Sequence, residues 1–153
     1  MLDNVKYCGD LTLTLRNEKG DIKDIREVKN LLLNVGKDWL IKTTMDAELT
    51  AMTVFTFGTT ASGGTAVATD TTATDTEEGR AAFTYMTGAT VGQASATATF
   101  GTSASANAIT EAGIYNGAAA TSGDGVFFAR ALFPTINKVS GDTLEIKWNV
   151  SYS

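Results

Sequence analysis

The residues best equipped for chemistry are carboxylates and arginines in the middle of the chain. Asp70, Asp75, Glu77 and Glu78 cluster in "GTTASGGTAVATDTTATDTEEG", residues 58–79, and Glu111 stands apart in "AITEAGIYNG". Two acids suffice for a glycosidase, one protonating the leaving group and the other acting as base or nucleophile. The proton donor needs a pKa raised by burial or by a like charge, and a loop of Thr, Ala and Gly supplies no burial. The same four acids have ligand chemistry suited to Ca²⁺, but their spacing is not that of an EF-hand. A solvated acidic loop is the expectation. The chain has no histidine, which removes Ser-His-Asp and Cys-His nucleophilic sites and the commonest transition-metal ligand. There is no GxxxxGK[ST] phosphate loop, and no GxGxxG follows a strand. No catalytic residue, cofactor or metal site is expected, and the chain reads as a non-enzyme.

Glu111 needs a different account, because it lies inside a strand-like run. Alternation puts Ile109, Glu111, Gly113 and Tyr115 on one face. Arg130 is the matching oddity in "VFFARALFP", where alternation groups it with Val126, Phe128 and Leu132. Between Thr43 and Ala129 the only basic residue is Arg80. An arginine among apolar neighbours must find an acceptor for its head, and a glutamate there must find a donor. A structural ion pair of Glu111 with Arg130 or Arg80 satisfies both ends through a forked contact. The alternative is that each charge sits at a strand rim in water. Such a pair fixes register or subunit contact more than it adds stability.

The elements that position these residues are mostly strands. "LTLTLR" alternates Leu11, Leu13 and Leu15 with polar residues, and "NEKGD" offers Gly20 for a tight turn. "IKDIREVKNLLL" then returns as one strand. A short helix is expected near residues 35–45, with Asn34 as N-cap and Val35 and Trp39 four apart. "MTVFTFG", "RAAFTYM" and "ASATATF" read as further strands. "VFFARALFP" is apolar on both faces apart from Arg130, so protein should cover both sides, and Pro134 should end it. Val126, Phe128, Leu132 and Phe133 are its candidates for a subunit interface. "TLEIKWNVSY" places Leu144, Ile146, Trp148 and Val150 on a core face, and burying Trp148 alone contributes at most about 4–6 kcal/mol by area. The whole, residues 1–153, reads as a single all-β domain. Its expected architecture is an antiparallel β-sandwich, jelly-roll-like or Ig-like, or a small barrel, with one short helix. Residues 1–10 form a candidate N-terminal arm and residues 58–79 a long loop or arm.

Bulk properties narrow the partners. Hydrophobic residues make up 43% and charged ones 19%, a globular balance. A net charge of −5 argues against nucleic acid as a direct partner. Cys8 is alone, so no disulfide within the chain is expected. Met1 to Tyr7 carries Asp3 and Lys6 without an apolar run, so neither a signal peptide nor a membrane span is expected. Trp39, Tyr85, Tyr115, Trp148 and Tyr152 are the aromatic candidates for a sugar platform, but Trp148 and Tyr152 lie on the core face. A carbohydrate-binding reading is left with Trp39, Tyr85 and Tyr115, and Tyr115 is the residue at which it is tested.

The order of motifs carries a resemblance. "FGTTAS", the acidic loop, "EEGR", "TEAGIYN" and "FARALFP…KVSGDTLEIKWNVSY", preceded by "KNLLLNVGKDWL", resemble small virion structural proteins of tailed bacteriophages. The likeness spans roughly residues 28–152 and carries no catalytic signature. Its family-like positions here are Arg80, Glu111, Gly113 and Arg130. It implies a virion component, assembled in the host cytoplasm, that oligomerises and contacts the major capsid protein or another virion protein. The role implied first is capsid decoration, or cement. The alternative is a tail, baseplate or fibre component, with a glycan-binding sandwich for host adsorption as a further possibility.

Overall fold

The structure, a computed structural model, describes residues 7–43, 51–59, 66–70, 76–87, 90, 92–102, 107–117 and 125–152. Residues 1–6 of the expected arm, and Asp75 with the other gaps in the long loop, lie outside the described residues. The described residues form an antiparallel β-sandwich of two five-stranded sheets with one helix. Among the described strands neither sheet closes on itself, so the arrangement is the sandwich and not the barrel alternative.

Sheet one runs β2 (Ile22–Lys29), β1 (Tyr7–Arg16), β10 (Thr143–Tyr152), β7 (Gln93–Phe100), β6 (Thr84–Thr87). Sheet two runs β3 (Leu31–Leu32), β9 (Phe127–Lys138), β8 (Asn107–Tyr115), β4 (Val54–Thr59), β5 (Thr76–Ala82). The expected Leu11/Leu13/Leu15 and Leu144/Ile146/Trp148 faces meet in register, Leu11 opposite Trp148 and Leu15 opposite Leu144. All six are buried between the sheets, while Val150 is half-buried against them. In β7, Ala96, Ala98 and Phe100 face this core, where small side chains let the strand pack closely behind Trp148.

Several sequence expectations are corrected. "IKDIREVKNLLL" is two strands, not one: Asn30 breaks it, and the chain passes from sheet one to sheet two. Asn30 donates its amide to the Gly9 carbonyl, and a Cβ on Gly9 would overlap its side chain. "RAAFTYM" likewise divides at Phe83 into β5 of sheet two and β6 of sheet one. Tyr7–Asp10 belong to β1, so those four residues of the expected arm are part of the sheet. Pro134 does not end β9. It falls where β9 bulges against β8, between the pairs Glu111–Leu132 and Ile109–Ile136, a place that needs no ladder amide.

A second bulge changes the reading of "VFFARALF". Ile114 pairs with Ala129 but Tyr115 pairs with Phe127, so Phe128 is the extra residue. Phe128 therefore turns into the inter-sheet core, and Phe127 joins Leu33, Val54 and Tyr115 in a smaller cluster on the outer face. Both faces of β9 are covered by this same chain. Phe128 and Phe133, expected at a subunit contact, are buried inside the protomer instead; Val126 and Leu132 are half-buried.

The helix α1 (Asn34–Thr43) crosses β9 at the Phe128 backbone. A Cβ on Gly36 would lie 2.2 Å from the Phe128 carbonyl oxygen, so the close approach requires glycine. Trp39 meets the Phe128 ring edge-on, with centroids 5.9 Å apart. Lys42 in the last turn complements the helix dipole. No described helix is long and apolar enough to cross a membrane.

Candidate functional site

Of the polar residues singled out in the sequence, Asp70, Glu77, Arg80, Glu111 and Arg130 meet at the outer face of sheet two. Register defines one transverse row there: Arg80 on β5, Thr56 on β4, Gly113 on β8, Arg130 on β9 and Leu31 on β3. Glu111 is two residues from Gly113 on the same face. Ile109 is not. The β8–β9 ladder shifts between Ile109 and Glu111, and Ile109 packs in the inter-sheet core instead. Three residues of β9, Phe133 to Thr135, stand against Thr110 alone, and this irregularity separates two side chains that simple alternation puts together.

Arg130 lies at the centre. Its Nη2 donates to Glu111 Oε2 at 2.7 Å and its Nη1 to Asp70 Oδ2 at 2.5 Å. Glu111 is 0% exposed. The Asp70 carboxylate also accepts the Val67 amide at 3.0 Å, and the Ala68 carbonyl accepts the Asn34 amide at 2.7 Å. The 66–70 segment is therefore tied to β9 by an ion pair and to α1 by its backbone. It is not an outward arm, which corrects that part of the expectation for residues 58–79.

Burial alone disfavours a charged guanidinium. Hydrogen bonds to Glu111 and Asp70, and the charges of both, outweigh it and raise Arg130 above the ordinary arginine value. The fork of donors that arginine offers lets one cation offset the desolvation of both acids. Arg130 Nε and Thr56 Oγ1 are buried without a hydrogen-bond partner.

Arg80 takes a different acid. Its Nε and Nη2 grip both oxygens of Glu77, at 2.5 and 3.0 Å, and its guanidinium lies 4.6 Å over the Tyr115 ring. Tyr115 in turn stacks on Phe127, at 4.6 Å with 14° between planes. This stack lies across Gly113, where a Cβ would come within 2.3 Å of the Phe127 ring. Gly113 is required by that close approach, the physical content of the "EAGIY" motif. Asp70 and Glu77 are thus ion-pair partners, not the solvated acids the loop suggested. Neither the role of Asp70 nor the stacking of Arg80 on Tyr115 was visible in the sequence. The lone Arg80 in an otherwise acidic middle was the available signal for the second.

The chemistry open to this arrangement is limited by access. Glu111 has no solvent contact, so no substrate reaches it as the chain stands. Among the described residues no three His, Cys, Asp or Glu side chains converge as a metal site would need. Tyr115 is 4% exposed, which withdraws the sugar platform built on it. Elsewhere, an apolar cavity of about 460 Å³ opens beside the helix, with Tyr7, Trp39, Phe55, Phe83, Tyr85 and Trp148 in its lining. Among the described residues no charged one lines it. Comparison with protein-family models, with curated proteins and with solved structures finds no match for this chain.

Proposed function

We propose that this chain is a non-enzymatic structural protein of a tailed-phage virion, a decoration protein that oligomerises on the capsid exterior and bridges major capsid subunits. The observation that carries the reading is the inward turn of its charges. Asp70, Glu77, Arg80, Glu111 and Arg130 lock strands, loop and aromatic stack together, and the most buried of them is closed to any substrate. Polar groups spent on rigidity suit a part whose task is to hold shape under load. The motif order from "FGTTAS" to "KWNVSY" supports the virion class, and the acidic net charge suits a position away from packaged DNA.

A denaturing gel of purified virions tests the proposal by band intensity. A shell protein is present on the order of hundreds of copies per particle, while a tail, baseplate or fibre part is present in tens or fewer. A strong band, together with a lower melting temperature of particles lacking the protein, is expected. Tens of copies would move the chain to the tail, and absence from the particle would end the virion reading.

A further inference from the structure

The four sheet edges are not alike. β2 carries five charged residues in eight, Lys23, Asp24, Arg26, Glu27 and Lys29. β5 is charged and bulged at its pairing with β4. β3 is two residues long and runs on toward α1. Charge, bulges and brevity are the devices that keep an edge from pairing with another chain. β6, Thr84–Thr87, is short as well but has neither charge nor bulge, and its ladder with β7 is regular. On its other side no described strand pairs with it. Tyr85 and Met86 are 61% and 50% exposed there. The charge-free character extends well beyond the strand: Ala81 to Thr110 contains no Asp, Glu, Lys or Arg.

We infer that β6 is the self-association edge of this protein, pairing antiparallel with β6 of a second copy to run the two copies of sheet one together. An open edge requires a strand as its occupant, because only a strand supplies matching donors and acceptors along its length. A second copy is favoured over a foreign strand for two reasons. The same edge on both chains satisfies both at once about a two-fold axis and leaves nothing open there. A chain of net charge −5 repels its own copy, and that repulsion is least where the two nearest strands, β6 and β7, bear no charge.

Face matching limits the register. Tyr85 pairs with Ala96 on the core side, and Met86 pairs with Ser95 on the outer side. A two-fold centred on Tyr85 sets Tyr85 against Tyr85 and Thr84 against Met86; one centred on Met86 sets Tyr85 against Thr87. Each register keeps like faces together. Tyr85 also lines the apolar cavity, so the added strand covers apolar surface as well as backbone.

This inference rests on the oligomerisation in the reading above, yet it is tested without virions. Sedimentation velocity of the purified chain over a concentration series should show a reversible dimer or a larger assembly. Met86→Lys places like charges close to the axis and should weaken association at least about tenfold. Its circular dichroism and melting curve should match the parent's. Thr84→Lys serves if that variant does not fold, and Ile25→Lys on the already charged β2 edge should leave association unchanged. A parent that stays monomeric, or an edge variant that associates as the parent does, would overturn the inference. A monomer in solution leaves the virion copy number to be judged by the gel, and a dimer absent from virions refutes only the virion reading.

Discussion

Glu111 and Arg130 stand or fall together. Each carries a full charge inside an apolar strand, and each has its desolvation offset by the other. Glu111→Gln keeps the shape but removes the anion, leaving Arg130 with Asp70 as its remaining charged partner in the network. The expected loss in unfolding free energy is about 1–4 kcal/mol, read from urea denaturation. Replacing both residues, Glu111→Leu with Arg130→Met, should recover part of that loss, since neither of these two charges is then stranded, while Asp70 loses its cation but keeps the Val67 amide and some solvent contact. A Gln variant as stable as the parent would mean that the pair carries no folding energy. The sequence made this pair legible because a charge in an apolar strand demands a partner. It did not make Asp70 legible, because an aspartate in a Thr/Ala loop looks the same whether it is solvated or folded back on an arginine 60 positions away.

At the scale of elements, periodicity gave the strands and the core faces but not the places where the period slips. The residues around Thr110 and Phe128 carry no local mark of a bulge, and Pro134, which marks one, reads equally as a strand end; each bulge moves a side chain to the other face, and Ile109 and Phe128 both enter the core. Connections between elements were equally hidden, and the β9–β10 turn is the clearest case. Asp142 in that turn is buried, and its Oδ2 accepts Lys23 Nζ of β2 at 2.6 Å and the Val139 amide at 3.0 Å. Burial pushes its pKa up. The Lys23 and Val139 hydrogen bonds, with the charges of Lys23 and Lys138, outweigh this and hold the carboxyl below its ordinary value. A carboxylate with a depressed folded pKa stabilises above its unfolded value near 3.9, and that contribution fades as pH falls through the lower folded value. Asp142→Asn should therefore cost about 1–2 kcal/mol at neutral pH, and the gap to the parent should narrow steadily below about pH 4. Thermal melts at several pH values measure this. A gap that stays constant down to low pH would show that the carboxylate charge is not what holds the turn to β2.

For the whole molecule, the defining feature is that the first and last strands are neighbours in the middle of sheet one. Tyr7 pairs with Tyr152 and Arg16 with Thr143, along ten consecutive pairs. Antiparallel partners lie about 5 Å apart, so the two ends of this ladder are already adjacent. Forming this pairing closes the longest loop in the fold, a cost that grows with the logarithm of loop length and slows folding more than it weakens the folded state. A circular permutant isolates that cost: Ser153 joined to Met1, and the chain opened after Thr43, between α1 and β4. A helix and a strand flank the cut, so it breaks no hairpin, and of the other strand pairs only β3–β9 spans it. The β1–β10 pair becomes a local hairpin while every other strand pair keeps its sequence separation or shortens it. Stopped-flow refolding should be faster than for the parent, by up to about tenfold, with a melting temperature changed by only a few degrees. If the permutant folds no faster, the β1–β10 closure is not part of the rate-limiting step, and sheet two, where β4, β8 and β9 pair across shorter distances, must set the pace instead.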